Sequence, residues 1–259
     1  MRAAAILAVI LIAAVIGPWF LPWRFDAIDW SAVRAAPFSG SHILGTDSVG
    51  RDQLARLLTG TRVSLGIAGA AALVALIIGT FWGAVAGWCG GWIDAAMMRL
   101  VDALYALPFM FVVILLMVVF GRSILLVFLG IGAVEWLTTA RVVRAQVMAL
   151  KVRPFILASE AAGASAPQIV ARHVLPNIFG VILAYLLITI PQVVMVESFL
   201  SFLGLGVQEP LTSLGLLVKE GVDDMDIAPL ALILPCGVLM MLLICLTLLG
   251  ERLRGRLSA

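Results

Sequence analysis

The sequence predicts an all-α integral membrane protein with six transmembrane helices, and three observations predict it. Hydrophobic residues fill 63% of the 259 positions and charged residues only 12%, against roughly 45–50% and about 25% in ordinary globular domains. Five stretches (3–23, 63–93, 103–121, 173–196 and 227–250) contain no Asp, Glu, Lys or Arg. Each approaches or exceeds the roughly 20 residues that a helix needs to cross the hydrocarbon layer. A sixth, 123–140, is interrupted once, by Glu135. Lipid offers no hydrogen-bond partner to an open backbone, so every crossing is expected to be helical.

Taken in order, the spans are expected near 3–22, 64–87, 102–120, 124–140, 177–199 and 229–250, all within one transmembrane domain, 1–259. The first follows Arg2 and stays apolar through Phe20 without a small-residue cleavage pattern, so it is read as an uncleaved anchor rather than a signal peptide. The second carries Gly79, Gly83, Gly87 and Gly91 at four-residue steps. Such a stripe lets another helix approach closely, within this chain or on a partner. The third begins at Arg99 and Asp102, three residues apart and expected to pair. The fourth contains Glu135 and the fifth ends at Glu197. Charges at these depths are costly and each needs a reason. Glu135 is read first as structural, reaching a polar neighbour or sitting protonated near the inner interface, with a pore-lining contact to a peptide's amino terminus as the other reading. For Glu197 the expectation is packing of the 199–206 turn against a partner chain.

Two outer segments are long, 24–62 and 200–228. In the first, Leu54, Leu57 and Leu58 share a face and Asp52 stands four residues before Arg56. The pattern, with Asp52 and Arg56 as an i,i+4 pair, predicts a short helix over 50–58 lying on the membrane surface, an ordinary solvated connector being the other reading. The largest inner segment is 141–176, where an alanine-rich helix over 155–162 should close at Gly163 and a second should occupy 168–174 between Pro167 and Pro176. Two short helices too apolar to be left in water suggest a docking element for a soluble partner. With the termini placed inside, ten basic residues face four acidic ones there, against seven and nine outside. The excess of Lys and Arg favours cytoplasmic termini.

Composition and motifs exclude several functions. A formal net charge of +2 leaves no basic surplus for a nucleic-acid backbone. Cys89, Cys236 and Cys245 lie singly in apolar runs, so neither a disulfide framework nor a metal site is indicated. Leu150 precedes Lys151 and Val218 precedes Lys219 where a phosphate-binding loop needs glycine, so the chain has no ATP machinery of its own. No cofactor and no catalytic residues are expected.

The inner segment, with Ile169 and Arg172-His173-Val174-Leu175-Pro176-Asn177 after a glycine, resembles the coupling loop of binding-protein-dependent ABC importer permeases. Gly45-Thr46-Asp47-Ser48 with Gly50-Arg51-Asp52 narrows the resemblance to the peptide/nickel permease family. So do Gly90-Gly91-Trp92-Ile93-Asp94 with Met98-Arg99, and the run from Glu197-Ser198-Phe199 to Gly206. Asp29-Trp30, Ala36-Pro37, Phe109-Met110-Phe111 and Gln208-Glu209-Pro210-Leu211 look closest to oligopeptide permease C-type subunits. The resemblance covers about residues 25–250 and implies a type I ABC importer permease fold in a bacterial inner membrane. It also implies a homologous B-type permease as heterodimer partner, two cytoplasmic ATP-binding subunits and an external peptide-binding protein.

The loop departs from the family in register. It spells Glu160-Ala161-Ala162, but the family's Glu-Ala-Ala signature falls six positions before the glycine that matches Gly163, on Leu157-Ala158-Ser159. The expected ATPase contact therefore spans Leu157, Ala158, Ser159, Glu160, Ala161, Ala162, Gly163 and Ala164. Glu160, one turn beyond Leu157, is expected to take over the missing carboxylate's contact; a solvated surface carboxylate is the other reading. The function implied is translocation of oligopeptides or dipeptides, without catalysis by this chain. Nickel chelates, murein peptides or other peptide-like compounds are alternative cargoes, and an ion-coupled secondary transporter is the alternative of another class.

Overall fold

The computed structural model describes residues 2–121 and 124–257, and among these the chain is helical without a β-strand. Helix α1 (Arg2–Phe20) leads through an irregular segment to α2 (Gln53–Cys89), α3 (Gly91–Tyr105), α4 (Phe109–Phe120) and α5 (Ile124–Lys151). The short helices α6 (Pro154–Ala161) and α7 (Ala166–Ile169) follow, then α8 (Leu175–Phe202), α9 (Leu214–Asp223) and α10 (Pro229–Leu257). Among the described residues, α1, α2, the run Ala166–Phe202 and α10 are long and apolar enough to cross a membrane, and the bent pair α3–α4 makes a fifth such unit. The expected span 124–140 lies in the first part of α5, which continues eleven residues further to Lys151.

The stretch 50–58 does not form a separate surface helix. It contains the opening of α2, because Asp52 adopts an extended backbone and its carboxylate accepts the Ala55 N–H at 2.8 Å. No proline follows until α2 ends, so the helix runs 37 residues, about 55 Å at 1.5 Å per residue. That length exceeds the roughly 30 Å hydrocarbon layer.

The span expected over 102–120 is broken. Pro108 has no N–H to donate and disfavours helical backbone at Leu107, so α3 and α4 meet at a bend of 73°. Two ion pairs hold α3 to α5: Arg144 grips Asp94 through both nitrogens of its fork, and Arg141 donates to Asp102 at 2.7 Å. Asp102 thus reaches across to another helix instead of pairing with Arg99 on its own. The Arg141 guanidinium also lies 4.3 Å from the centroid of the Tyr105 ring, which favours this arrangement.

Nor is 168–174 an isolated segment. Ser165 caps α7 and its N–H donates to the Gln168 side chain at 3.1 Å. Pro176 cannot return a hydrogen bond to Arg172. A single wide turn over Val170–Val174, in which the Leu175 N–H reaches the Val170 carbonyl, takes up the missing bond and lets the chain continue into α8.

Helix α2 lies centrally, with its most extensive contact along α5 and further contacts to α8 and α1. A β-carbon placed on Gly79 would lie 2.5 Å from the Thr139 Cβ. One on Gly83 would overlap the Ala140 carbonyl oxygen, and one on Gly87 would stand 2.8 Å from that of Arg144. These three glycines let α2 and α5 meet backbone to backbone. Gly91 does not extend the stripe: α2 has ended, its φ is +56°, and a β-carbon there would meet nothing.

Glu197 also differs from expectation. Its fully buried carboxylate accepts the hydroxyls of Ser64 and Ser201, each at 2.8 Å, and Ser64 Oγ accepts the Leu214 N–H at 3.1 Å. A carboxylate removed from solvent must be satisfied by donors. Here the donors come from α2 and α8 of the same chain, so Glu197 ties α2, α8 and the start of α9 together.

Candidate functional site

The connection between α5 and α8 is a compact hairpin built almost wholly from local rules. Helix α5 stops because Pro154 forces Arg153 into extended backbone (φ −75°, ψ 143°), and the same proline then opens α6. Lys151, the last residue of α5, donates from Nζ to the Trp88 carbonyl at 2.5 Å and fastens this end of α5 to the end of α2. Helix α6 closes as its glycine predicts. Gly163 has φ +84°, its N–H reaches the Glu160 carbonyl at 2.9 Å, and the Ala164 N–H reaches Ser159 at 3.1 Å. This pair of bonds satisfies the carbonyls that a helix end leaves free.

Two side chains pin the hairpin to the bundle. Ile156 on α6 and Ile169 on α7 are fully buried in one cluster with Val143 and Val147 of α5, Ile178 and Ile182 of α8, and Ala84 of α2. Full burial of an isoleucine contributes about 1.5–3 kcal/mol. These two residues therefore fasten the hairpin to α5 and α8.

The rest of the hairpin faces outward. Leu157 is 51% exposed and Phe155 44%. Ala158, Glu160, Ala161, Ala162 and Gly163 are exposed as well, and Ser159 and Ala164 are partly covered. Leu157 and Glu160 stand three residues apart on α6. Among the described residues, Glu160 has no ion pair or hydrogen bond through its carboxylate. The Ser159 hydroxyl turns back to the Phe155 carbonyl at 2.9 Å. An exposed Phe–Leu pair thus stands beside an unpartnered carboxylate on a helix whose inner side is buried.

At the opposite end of α2 lies a cluster that sequence spacing did not disclose. Arg56, 1% exposed, donates to Asp47 at 2.6 Å and forks onto Glu220 of α9 at 2.5 and 2.9 Å. The i,i+4 pair expected between Asp52 and Arg56 is absent, since Asp52 serves as helix cap and meets His42 Nδ1 at 2.9 Å. The His42 ring stacks on Trp23 with centroids 4.8 Å apart. Arg51 donates to Asp47 at 2.6 Å and to Glu209 at 2.9 Å. Burial pushes the Asp47 carboxyl up, but the Arg51 amide and the Arg56 and Arg51 side chains outweigh it and hold the group below the ordinary carboxylate range. The glutamates that Arg51 and Arg56 meet stand 158 and 164 residues away in sequence, so only the assembled fold reveals them.

Glu135, in the first part of α5, is half-buried and has no hydrogen bond or ion pair among the described residues. Among the described residues the polar neighbour expected for it is not there. No group of three or more His, Cys, Asp or Glu suited to a metal ion occurs among the described residues.

A family model described as a binding-protein-dependent transport system inner membrane component matches residues 79–256. The chain is similar to the oligopeptide transport system permease protein OppC of Haemophilus influenzae, 43% identical over 254 residues covering 98% of this chain and 82% of that protein. It is similar to the OppC protein of Escherichia coli K12, at 44% over 258 residues, 98% of this chain and 85% of that one. The dipeptide transport system permease protein DppC of Bacillus subtilis is 40% identical over 216 residues, 83% of this chain and 67% of its own length.

Proposed function

The chain belongs to the family of binding-protein-dependent transport system inner membrane components, and from that membership we propose that it is one permease subunit of an ATP-driven importer of oligopeptides. Relatives named for oligopeptide and dipeptide transport support the peptide cargo. In this reading a homologous permease completes the pore, an external binding protein delivers the peptide, and both termini are cytoplasmic. Two soluble ATPase subunits bind and hydrolyse ATP, while this chain binds no cofactor and catalyses no bond change.

The observation that carries the reading is the hairpin: an exposed Phe155–Leu157–Glu160 surface on a helix whose inner side is nailed to α5 and α8 by Ile156 and Ile169. Approach of the two ATPases on binding ATP displaces α6. The buried isoleucines pass that displacement to α5 and α8, and the glycine seam passes it on to α2. The pore then alternates between its two openings. Glu160 supplies the carboxylate contact that the family places where Leu157 stands.

The test is peptide uptake and ATP hydrolysis by the reconstituted importer with loaded binding protein. Vanadate abolishes uptake and a protonophore does not. Glu160→Ala lowers uptake and the hydrolysis coupled to it, whereas full retention of both would remove Glu160 from the ATPase contact. Uptake that persists with vanadate and collapses with the protonophore would replace this reading with an ion-coupled transporter.

A further inference from the structure

The outward surfaces of the helices divide into two kinds. On α4 and on the 229–250 part of α10 the large exposed side chains are apolar: Phe111, Leu115 and Val118, then Ile233, Met240 and Ile244. Such surfaces meet lipid or another helix without cost. One flank of α5 is different. Glu135, Thr138 and Arg141 follow at three-residue steps, and Tyr105 at the end of α3 joins them, its hydroxyl 2.8 Å from Thr138 Oγ1. Tyr105, Thr138 and Arg141 are all exposed. Glu135 stands eleven residues from the start of α5, about 16 Å along the axis, roughly two-thirds of the way down the 124–140 span and still inside the hydrocarbon layer. Polar and ionisable groups at such depth face protein or a water-filled path, since hydrocarbon cannot solvate them. Three of the four already have partners: Thr138 and Tyr105 hold each other, and Arg141 holds Asp102. Glu135 has none among the described residues.

We propose that this flank of α5 lines the route of the cargo, and that Glu135 receives the protonated amino terminus of the peptide as it passes. The proposal rests on the peptide-importer reading above. A carboxylate left unpaired beside two neutral hydroxyls is complementary to a small cation with hydrogen-bonding N–H groups. A free peptide carries one at its amino end.

The experiment uses the assembled importer in proteoliposomes, with saturating binding protein loaded with trialanine. Glu135→Gln should lower uptake about tenfold to hundredfold, the worth of one charge-assisted hydrogen bond, while ATP hydrolysis stimulated by the loaded binding protein stays within about twofold. Glu135→Asp should recover most of the uptake. A second measurement leaves Glu135 in place. Thr138→Cys, with Cys89, Cys236 and Cys245 replaced by alanine, should react with water-borne methanethiosulfonates, the cationic reagent faster than the anionic one. Trialanine delivered by the binding protein should slow that labelling. Unchanged uptake by Glu135→Gln, or a thiol in the Thr138→Cys variant that only a lipid-soluble maleimide reaches, would overturn the assignment. A wild-type complex whose ATP hydrolysis ignores the loaded binding protein would instead count against the importer reading itself.

Discussion

Replacing Ile156 by alanine tests whether the hairpin works as a rigid attachment. The side chain is fully buried among Val143, Val147 and Ile178. The change removes three carbons, which at about 0.8 kcal/mol each amounts to about 2.4 kcal/mol of lost transfer energy. A cavity the surroundings cannot fill raises the total toward the roughly 2–5 kcal/mol typical of Ile→Ala. The fold of α6 itself survives, because Pro154 at its start and the Gly163 closure at its end are untouched. What weakens is its hold on α5 and α8. A loss of about 2.4 kcal/mol multiplies the undocked population by roughly fiftyfold. Ile156→Ala should therefore raise ATP hydrolysed per peptide imported, and hydrogen exchange should quicken at the amides of 155–164 while α5 and α8 stay protected. Leu157→Ala serves as contrast: its exposed side chain adds little to the fold, so exchange should stay unchanged while ATPase binding falls. An Ile156→Ala importer with the wild-type ratio of hydrolysis to uptake, and quickened exchange in the hairpin, would refute the idea that this attachment transmits the stroke.

Gly83→Ala places a methyl group on the Ala140 carbonyl and should cost about 1–3 kcal/mol as α2 and α5 are forced apart, seen as a lower unfolding midpoint in detergent. Removing the buried partner of two carboxylates is more severe. Arg56→Ala leaves Asp47 and Glu220 facing each other and should cost roughly 3–5 kcal/mol, read from the same midpoint. For acid, the sign follows from Asp47, whose folded value lies below the unfolded value of about 3.9. Its stabilisation is complete above that unfolded value and is lost as pH falls through the folded one. The unfolding midpoint in detergent should hold at pH 5 and fall only below about pH 4.

Much of the helical layout was legible because lipid imposes one rule, a long apolar run for each crossing, which five stretches obey without a charge and a sixth with Glu135 alone. Local chemistry was equally readable at the hairpin, where Gly163 closes α6 through its own backbone. The 73° break was latent in Pro108, but the apolar run across it masked the signal. Two misreadings share one cause. Asp52 and Asp102 each had a cation at helical spacing, and each chose a different partner brought close by tertiary packing. Spacing along a helix proposes neighbours worth a few tenths of a kcal/mol, and a capping bond or a cross-helix guanidinium outbids them. Glu197 was recognised as costly, yet the serines that satisfy it sit on α2 and α8, and Ser64 lies 133 residues away. The exposed half of the hairpin was located by the family register, whereas Ile156 and Ile169 as its fasteners emerge only from the packed cluster.

Helix α2 carries a consequence for the surrounding lipid. It is one unbroken rod, gripped near its beginning by the cluster of Asp47, Arg56 and Glu220 and at its finish by the Lys151–Trp88 clasp. The spacing between the two aqueous faces is thereby gauged by a covalent ruler instead of by the soft fit of one helix on the next. Bilayers of differing acyl length then meet a rod of fixed length, which tilts within them or makes them stretch or thin around it.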